Sequence, residues 1–123
     1  MLIAGFIICA SLIAVDGDTI KCNGENMRLM GDGMPFVSGV DTPEIRGKCQ
    51  TEKDLAQRAK RRTAELLKTP GLRVEFSGER DATRSHRPLI WIHLPGNITV
   101  GEVLMREGLA RKWLPHQKID WCS

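Results

Sequence analysis

The chain has 123 residues, enough for one domain that hides roughly two-thirds of its unfolded surface on folding. A net charge of +3 and a pI near 8.8 are mildly basic, compatible with a polyanionic ligand but far from an arginine-rich arm that binds nucleic acid by charge alone. There is no internal repeat, linker or low-complexity tract.

Residues 1–14 are almost wholly apolar and invite an export-signal reading, but they carry no Lys or Arg and are too short to span a bilayer. They continue through Ser11-Leu12-Ile13-Ala14-Val15 into Asp16-Gly17-Asp18-Thr19, so the segment is read as a buried first strand, behind at most the remnant of an export signal. Residues 10–15, 19–22 and 26–30 are expected to be short strands, with Cys22-Asn23-Gly24-Glu25 as an Asn-Gly hairpin turn, which makes an antiparallel meander.

From Thr51 the period becomes helical. Thr51-x-x-Asp54 resembles a capping box; Leu55, Ala59, Thr63, Leu66 and Leu67 share one face; and Thr69-Pro70-Gly71 ends the helix. Lys60, Arg61 and Arg62 suit the carbonyl end of the helix dipole and read as a solvated face. Residues 72–76 and 89–94 are two further strands, joined by a polar segment carrying Arg80, Arg84 and Arg87. A second helix over 100–107, with Val103 and Leu104 inward, stops at Gly108 and leads into a basic, Trp-containing tail.

Cys9, Cys22, Cys49 and Cys122 form an even set, which fits one or two disulfides, an oxidising compartment, and hence a secreted or periplasmic location. The three possible pairings stay open, although Cys122 is expected to tie its end of the chain to the body. The separations do not resemble the close C-x-x-C pairs of a structural zinc site.

Chemistry concentrates in two acidic segments. Asp16 and Asp18 in Asp16-Gly17-Asp18-Thr19 are two apart, so on an extended chain both point to one face, where they repel unless a cation lies between them. A hard cation such as calcium takes carboxylate and carbonyl oxygens. Asp-Gly alone is also an ordinary turn signal. Its pairing with Asp41-Thr42-Pro43-Glu44 favours the functional reading.

In chain order, Val15-Asp16-Gly17-Asp18-Thr19-Ile20, Arg28-Leu29, Val40-Asp41-Thr42-Pro43-Glu44, Cys49-x-x-Glu52, Arg87-Pro88-Leu89 and Gly108-Leu109-Ala110 resemble the staphylococcal (thermonuclease-like) nuclease family, over about residues 10–113. Each motif is weak alone; together and in order they are specific. The resemblance implies an α+β fold, a five-stranded OB-type β-barrel with two packed helices and the family's third, C-terminal helix missing, all in one domain spanning 1–123. It implies calcium-dependent hydrolysis of phosphodiester bonds in DNA or RNA. Asp18 and Asp41 would be the metal carboxylates, with the Thr42 carbonyl as a third oxygen. Asp16 would be an outer acid acting through water, Glu44 the general base, and Arg87 and Arg28 the phosphate grips. No base-reading element is visible, so little sequence preference is expected. A monomer acting away from membranes is the favoured state.

The chain departs from the family pattern twice. The family runs Arg-Leu-x-Gly straight into an apolar residue and Asp-Thr-Pro-Glu, whereas here Asp32-Gly33-Met34-Pro35-Phe36-Val37-Ser38-Gly39 intervenes as an inserted loop. Flanked by glycines, the insert could leave and rejoin the barrel at nearly one point, or it could shift the strand and carry Arg28 away from Asp41. Residues 81–87 lack the family's Tyr and Gly, which makes Arg84 a minor rival to Arg87. With no tyrosine in the chain, His86 and Trp113 become the candidates for base stacking. The alternative function is a non-catalytic OB module that binds nucleic acid or protein. Glu44 discriminates the two, since a binding module has no need of an acid that repels phosphate.

Overall fold

A computed structural model describes residues 2–123, among which nine strands and two helices are formed. The strands are β1 (Gly5–Ile7), β2 (Leu12–Ala14), β3 (Thr19–Cys22), β4 (Glu25–Leu29), β5 (Gly39–Asp41), β6 (Arg73–Arg80), β7 (Pro88–Leu94), β8 (Ile98–Thr99) and β9 (Arg111–Trp113); the helices are α1 (Gln50–Leu66) and α2 (Val100–Arg106).

Asn23 and Gly24 both take positive φ, 52° and 87°, as a tight Asn-Gly hairpin requires. β3 and β4 therefore fold back on each other, with Thr19 opposite Arg28 and Cys22 opposite Glu25. The main sheet runs β1-β6-β7-β4-β3-β2, with β8 on β7, and the β4–β7 pair alone in it is parallel. Alternate side chains from β3, β4, β6 and β7 (Ile20, Met27, Leu29, Val74, Ile90 and Ile92) form the core. Ala59 and Leu66 of α1 and Val100 and Leu104 of α2 close it from the helical side.

The structure is α+β with two helices, but the ladder does not close into a five-stranded barrel, because β1 and β2 at its two ends do not pair. These two strands are consecutive pieces of one segment, the first bonded to β6 and the second to β3. Residues 8–11 cross between them without a ladder. Here the Cys9–Cys22 disulfide, with Cα atoms 5.2 Å apart, pins the crossing, and Asn23 Nδ2 donates to the Ile8 carbonyl at 2.9 Å.

The buried first strand expected from the apolar run is instead a half-exposed edge: Ile3, Phe6, Ile8 and Ile13 face outward, while Leu2, Ile7, Cys9 and Leu12 pack on the core. Arg73 lies over the Phe6 ring at 4.4 Å and covers part of that edge.

Helix α1 begins two residues before the expected capping box. Cys49 is its N-cap and Glu52, not Asp54, is the acid of the first turn, whereas Asp54 is an exposed acceptor for Gln50. Arg62 is more than solvated surface: its guanidinium grips Glu107 just beyond α2 at 2.8–3.1 Å and so ties the helices together. Helix α2 has a full capping box from Thr99 and Glu102. Its Gly101 lets the helix pass close to Gly31, whose Cα would lie 2.6 Å from any added Cβ.

Residues 114–123 contain no helix and are held to α1 by the Cys49–Cys122 disulfide. Among the described residues no helix is long and apolar enough to cross a membrane.

Candidate active site

The loop after β2 is folded by its own polar atoms. Asp16 Oδ1 accepts the backbone N–H groups of Asp18 at 3.2 Å and Thr19 at 2.9 Å, a local capture that Asp makes readily. Gly17 is required by space, since a Cβ there would sit 2.8 Å from the Thr42 side chain. Its carbonyl accepts from Thr63 of α1 at 2.8 Å, so the helix fixes the loop. This turn directs Asp18 inward, where it is only 5% exposed.

The second acidic segment is brought in by β5, which pairs with β9 and places Asp41 opposite Arg111. The backbone N–H of Thr42 donates to Asp18 Oδ2 at 3.3 Å. Glu44 follows, with its own N–H held at 3.0 Å by the Glu52 carboxylate, which also accepts from Lys48 N–H.

Arg28 on β4 joins the two segments. Its Nη2 donates to the Val40 carbonyl at 3.0 Å and lies 3.7 Å from Asp18 and 3.8 Å from Asp41. The inserted loop thus leaves Arg28 in the cluster, and local geometry explains how. The N–H groups of Val37 and Ser38 both donate to the Met34 carbonyl, Gly33 packs against Ser38, and Trp91 Nε1 donates to the Gly33 carbonyl at 2.9 Å. The loop closes on itself and is latched to β7 instead of displacing β4.

Arg87 arrives from the other side, on the residue before β7. Its Nε donates to Asp81 Oδ2 at 2.8 Å and its Nη1 to Thr19 Oγ1 at 2.7 Å, and that hydroxyl lies 3.4 Å from Asp18 Oδ1. A continuous polar line therefore runs from Asp81 through Arg87, Thr19, Asp18 and Arg28 to Asp41. Between the arginines a cavity of about 200 Å³ opens, with Phe36, Met30, Leu89 and Trp113 among its walls.

Negative charge exceeds what the arginines balance. Burial, and then the charge of Asp18, push the Asp16 carboxyl up to about 7. The same two causes raise Asp41, with Trp121 and Arg28 pulling the other way. Glu44 is raised by burial and by Asp18 and Asp41, against the opposing pull of Arg28. Such a cluster is eased by a cation. The available donors are carboxylate and carbonyl oxygens with no thiol or imidazole, which suits a hard ion such as calcium. Among the described residues no group of three or more His, Cys, Asp or Glu could hold a metal ion. Asp18 and Asp41 would supply two ligands, and backbone carbonyls and water the rest.

Other sequence candidates fall outside this centre. Arg84 and His86 are exposed on the loop before Arg87, where His86 takes a φ of 51° and borders a separate cavity with Leu2 and Gly78. Trp113 lines the cavity between the arginines through its place opposite Gly39. Three participants carry no role in the sequence reading: Thr19, inside the first motif, which bridges Arg87 to Asp18; Asp81, at the head of the arginine segment, which orients Arg87; and Trp121, in no motif, whose Nε1 lies 3.3 Å from Asp41 Oδ2. Trp121 had no local signal, since its contact spans a separation of 80 residues.

No family model matches the chain. Over 100 residues it is 33% identical to Endonuclease YncB of Bacillus subtilis (strain 168), an alignment that covers 80% of this chain and 44% of YncB. It is 33% identical over 100 residues to the SPbeta prophage-derived endonuclease YokF of the same strain, covering 80% of this chain and 31% of YokF. The similarity is to endonucleases. The chain spans less than half the length of either relative.

Proposed function

We propose that the chain is a calcium-dependent nuclease that hydrolyses phosphodiester bonds of DNA or RNA with little sequence preference, and that its open sheet is a variant of the OB-type barrel of the staphylococcal nuclease family. The observation that carries the reading is Arg28 held against Asp18 and Asp41, with Arg87 coupled to Asp18 through Thr19. The names of YncB and YokF, both endonucleases, support the nuclease part of the reading.

Hydrolysis needs an activated water and neutralisation of the charge that grows on the phosphate oxygens. Asp18 and Asp41, with the Thr42 carbonyl, would hold the calcium, which when bound neutralises phosphate charge and lowers the pKa of a bound water. Asp16 would stay outside the ligand set and orient water and the Asp18–Thr19 turn. Glu44 would take the proton of the attacking water. In the metal-free site burial, Asp18 and Asp41 raise its pKa, the direction that suits a general base. Arg28 and Arg87 would receive two phosphate oxygens through planar, multiply donating guanidinium groups. Asp81 and Thr19 hold Arg87 in place before substrate arrives, so little ordering remains to be done on binding. The two disulfides support an oxidising, secreted or periplasmic setting.

The test is degradation of plasmid DNA and of RNA by the purified chain with calcium, with a chelator, and with Arg28→Ala and Arg87→Ala. Calcium-dependent loss of one or both substrates, weakened in each variant, is the expected result. Binding without cutting would move the chain to the non-catalytic OB module.

A further inference from the structure

Residues 114–123 run back from β9 across the acidic segment, and three contacts anchor them. Trp121, 6% exposed, points its Nε1 at Asp41 Oδ2 over 3.3 Å. Arg111 stacks over the Trp121 ring at 4.4 Å and donates to the Asp120 carbonyl at 3.2 Å, clamping the indole from the strand that pairs with Asp41. Cys122, the next residue, is bonded to Cys49, the N-cap of α1. Three residues further on, Glu52 holds the backbone N–H of Glu44. The segment 41–44 is thus supported at Asp41 by Trp121 and at Glu44 by Glu52, and the Cys49–Cys122 bond joins the two supports.

We infer that Trp121 is a positioning residue for Asp41, and that residues 114–123 form a strap, locked by Cys49–Cys122, which fixes residues 41–44 in the geometry of the site. Arg28 already approaches Asp41 Oδ1, so the indole N–H on Oδ2 sets how the carboxylate is turned. Residues 114–123 have no helix or ladder of their own, so the covalent bond to the helix that holds Glu44 is what keeps this spacing. A cavity of about 280 Å³ lies beside this contact, bordered by Asp41, Glu44, Glu52 and Trp121. The consequence for turnover rests on the nuclease reading, whereas the strap itself does not.

The test compares the intact chain, Trp121→Phe and Cys49→Ser/Cys122→Ser without added metal. Amide hydrogen exchange is read at Thr42 and Glu44, with the core amides of Ile90 and Ile92 reporting global opening. Both variants are expected to exchange Thr42 and Glu44 about tenfold faster or more, relative to the core amides. Unchanged relative exchange at both positions overturns the inference. Trp121→Phe keeps the disulfide and an aromatic ring but removes the N–H together with the pyrrole part of the buried indole; the core amides report the loss that comes from packing, so the exchange at Thr42 and Glu44 relative to them decides the question where the double variant does not fold.

Cleavage kinetics then read the consequence: kcat is expected to fall ~10-fold in Trp121→Phe with little change in KM, because misplacing a site group costs rate more than binding. A change confined to KM overturns the positioning role. An intact chain that cuts nothing removes the nuclease reading, while the exchange result still decides the strap.

Discussion

Asp18 Oδ2 accepts the backbone N–H of Thr42 at 3.3 Å, across a separation of 24 residues. A buried side chain thereby ties the first acidic segment to the second, and the same carboxylate lies 3.7 Å from Arg28. Asp18→Ala leaves the Thr42 N–H unpaired and Arg28 with one carboxylate fewer. The expected cost is about 1–3 kcal/mol of stability, typical of a buried hydrogen-bonding group left without its partner. Thermal unfolding with and without calcium checks the proposed ligand role: the melting temperature of the intact chain rises with calcium, and that of Asp18→Ala does not.

Glu44 differs from Asp18 in that only its backbone is committed, through the N–H held by Glu52. Glu44→Gln keeps this bond and the shape of the side chain while removing the base. Turnover is expected to fall by ~10²–10⁴, the range general-base catalysis contributes, with nucleic-acid binding retained or improved because a charge that repels phosphate is gone. Cleavage rate and equilibrium binding on one substrate separate these effects. An unchanged rate removes Glu44 from the mechanism.

Much of this centre is legible in the chain because local rules place it. Asn23-Gly24 sets the β3–β4 turn, Gly17 and Asp16 set the Asp18 turn, and the Thr63 face of α1 meets the Gly17 carbonyl. Motif and geometry agree there because turn, cap and amphipathic face all act within a few residues. What escaped depends on distant partners. The edge character of β1 follows from pairing with β6, some seventy residues on, and no local apolar pattern reveals that one face stays in water. Thr51 looks the better cap by composition but is not the one used, because Cys49 is an uncommon cap residue; the family motif Cys49-x-x-Glu52 marks the true start of α1. Trp121 sits in a tail whose composition marks only basic charge, and its contact with Asp41 exists because a disulfide brings the tail back.

The Arg87–Asp81 pair supports a stability prediction with a pH sign. Burial raises the Asp81 carboxyl, but hydrogen bonds from Thr83 and Arg87 outweigh it and hold its pKa below the ordinary range. A carboxyl depressed in the folded state contributes stability above its unfolded pKa and loses it as pH falls through the folded value. Arg87→Ala removes part of that contribution and leaves a mostly buried carboxylate short of a partner. The variant is expected to be less stable by about 1–3 kcal/mol at pH 7, with the deficit shrinking as acid protonates Asp81. Denaturant melts at pH 7 and below pH 3.5 check it, and a constant deficit would mean that the loss is one of packing.

Asp16 carries the opposite sign. Its pKa is pushed up to about 7, first by burial and then by Asp18, so between the ordinary carboxylate range and pH 7 the folded state binds more protons than the unfolded one and stability falls as pH rises. Asn in its place keeps the Oδ1 that accepts from Asp18 and Thr19 while deleting the charge. Metal-free Asp16→Asn is therefore expected to melt higher than the parent at pH 8 and no higher at pH 4. Calcium should reverse the order at pH 8, since the repulsion that the substitution relieves is the attraction a cation gains. A variant less stable than the parent at both pH values, without metal, would show that the Asp16 charge serves the turn itself and is not held in waiting for a cation.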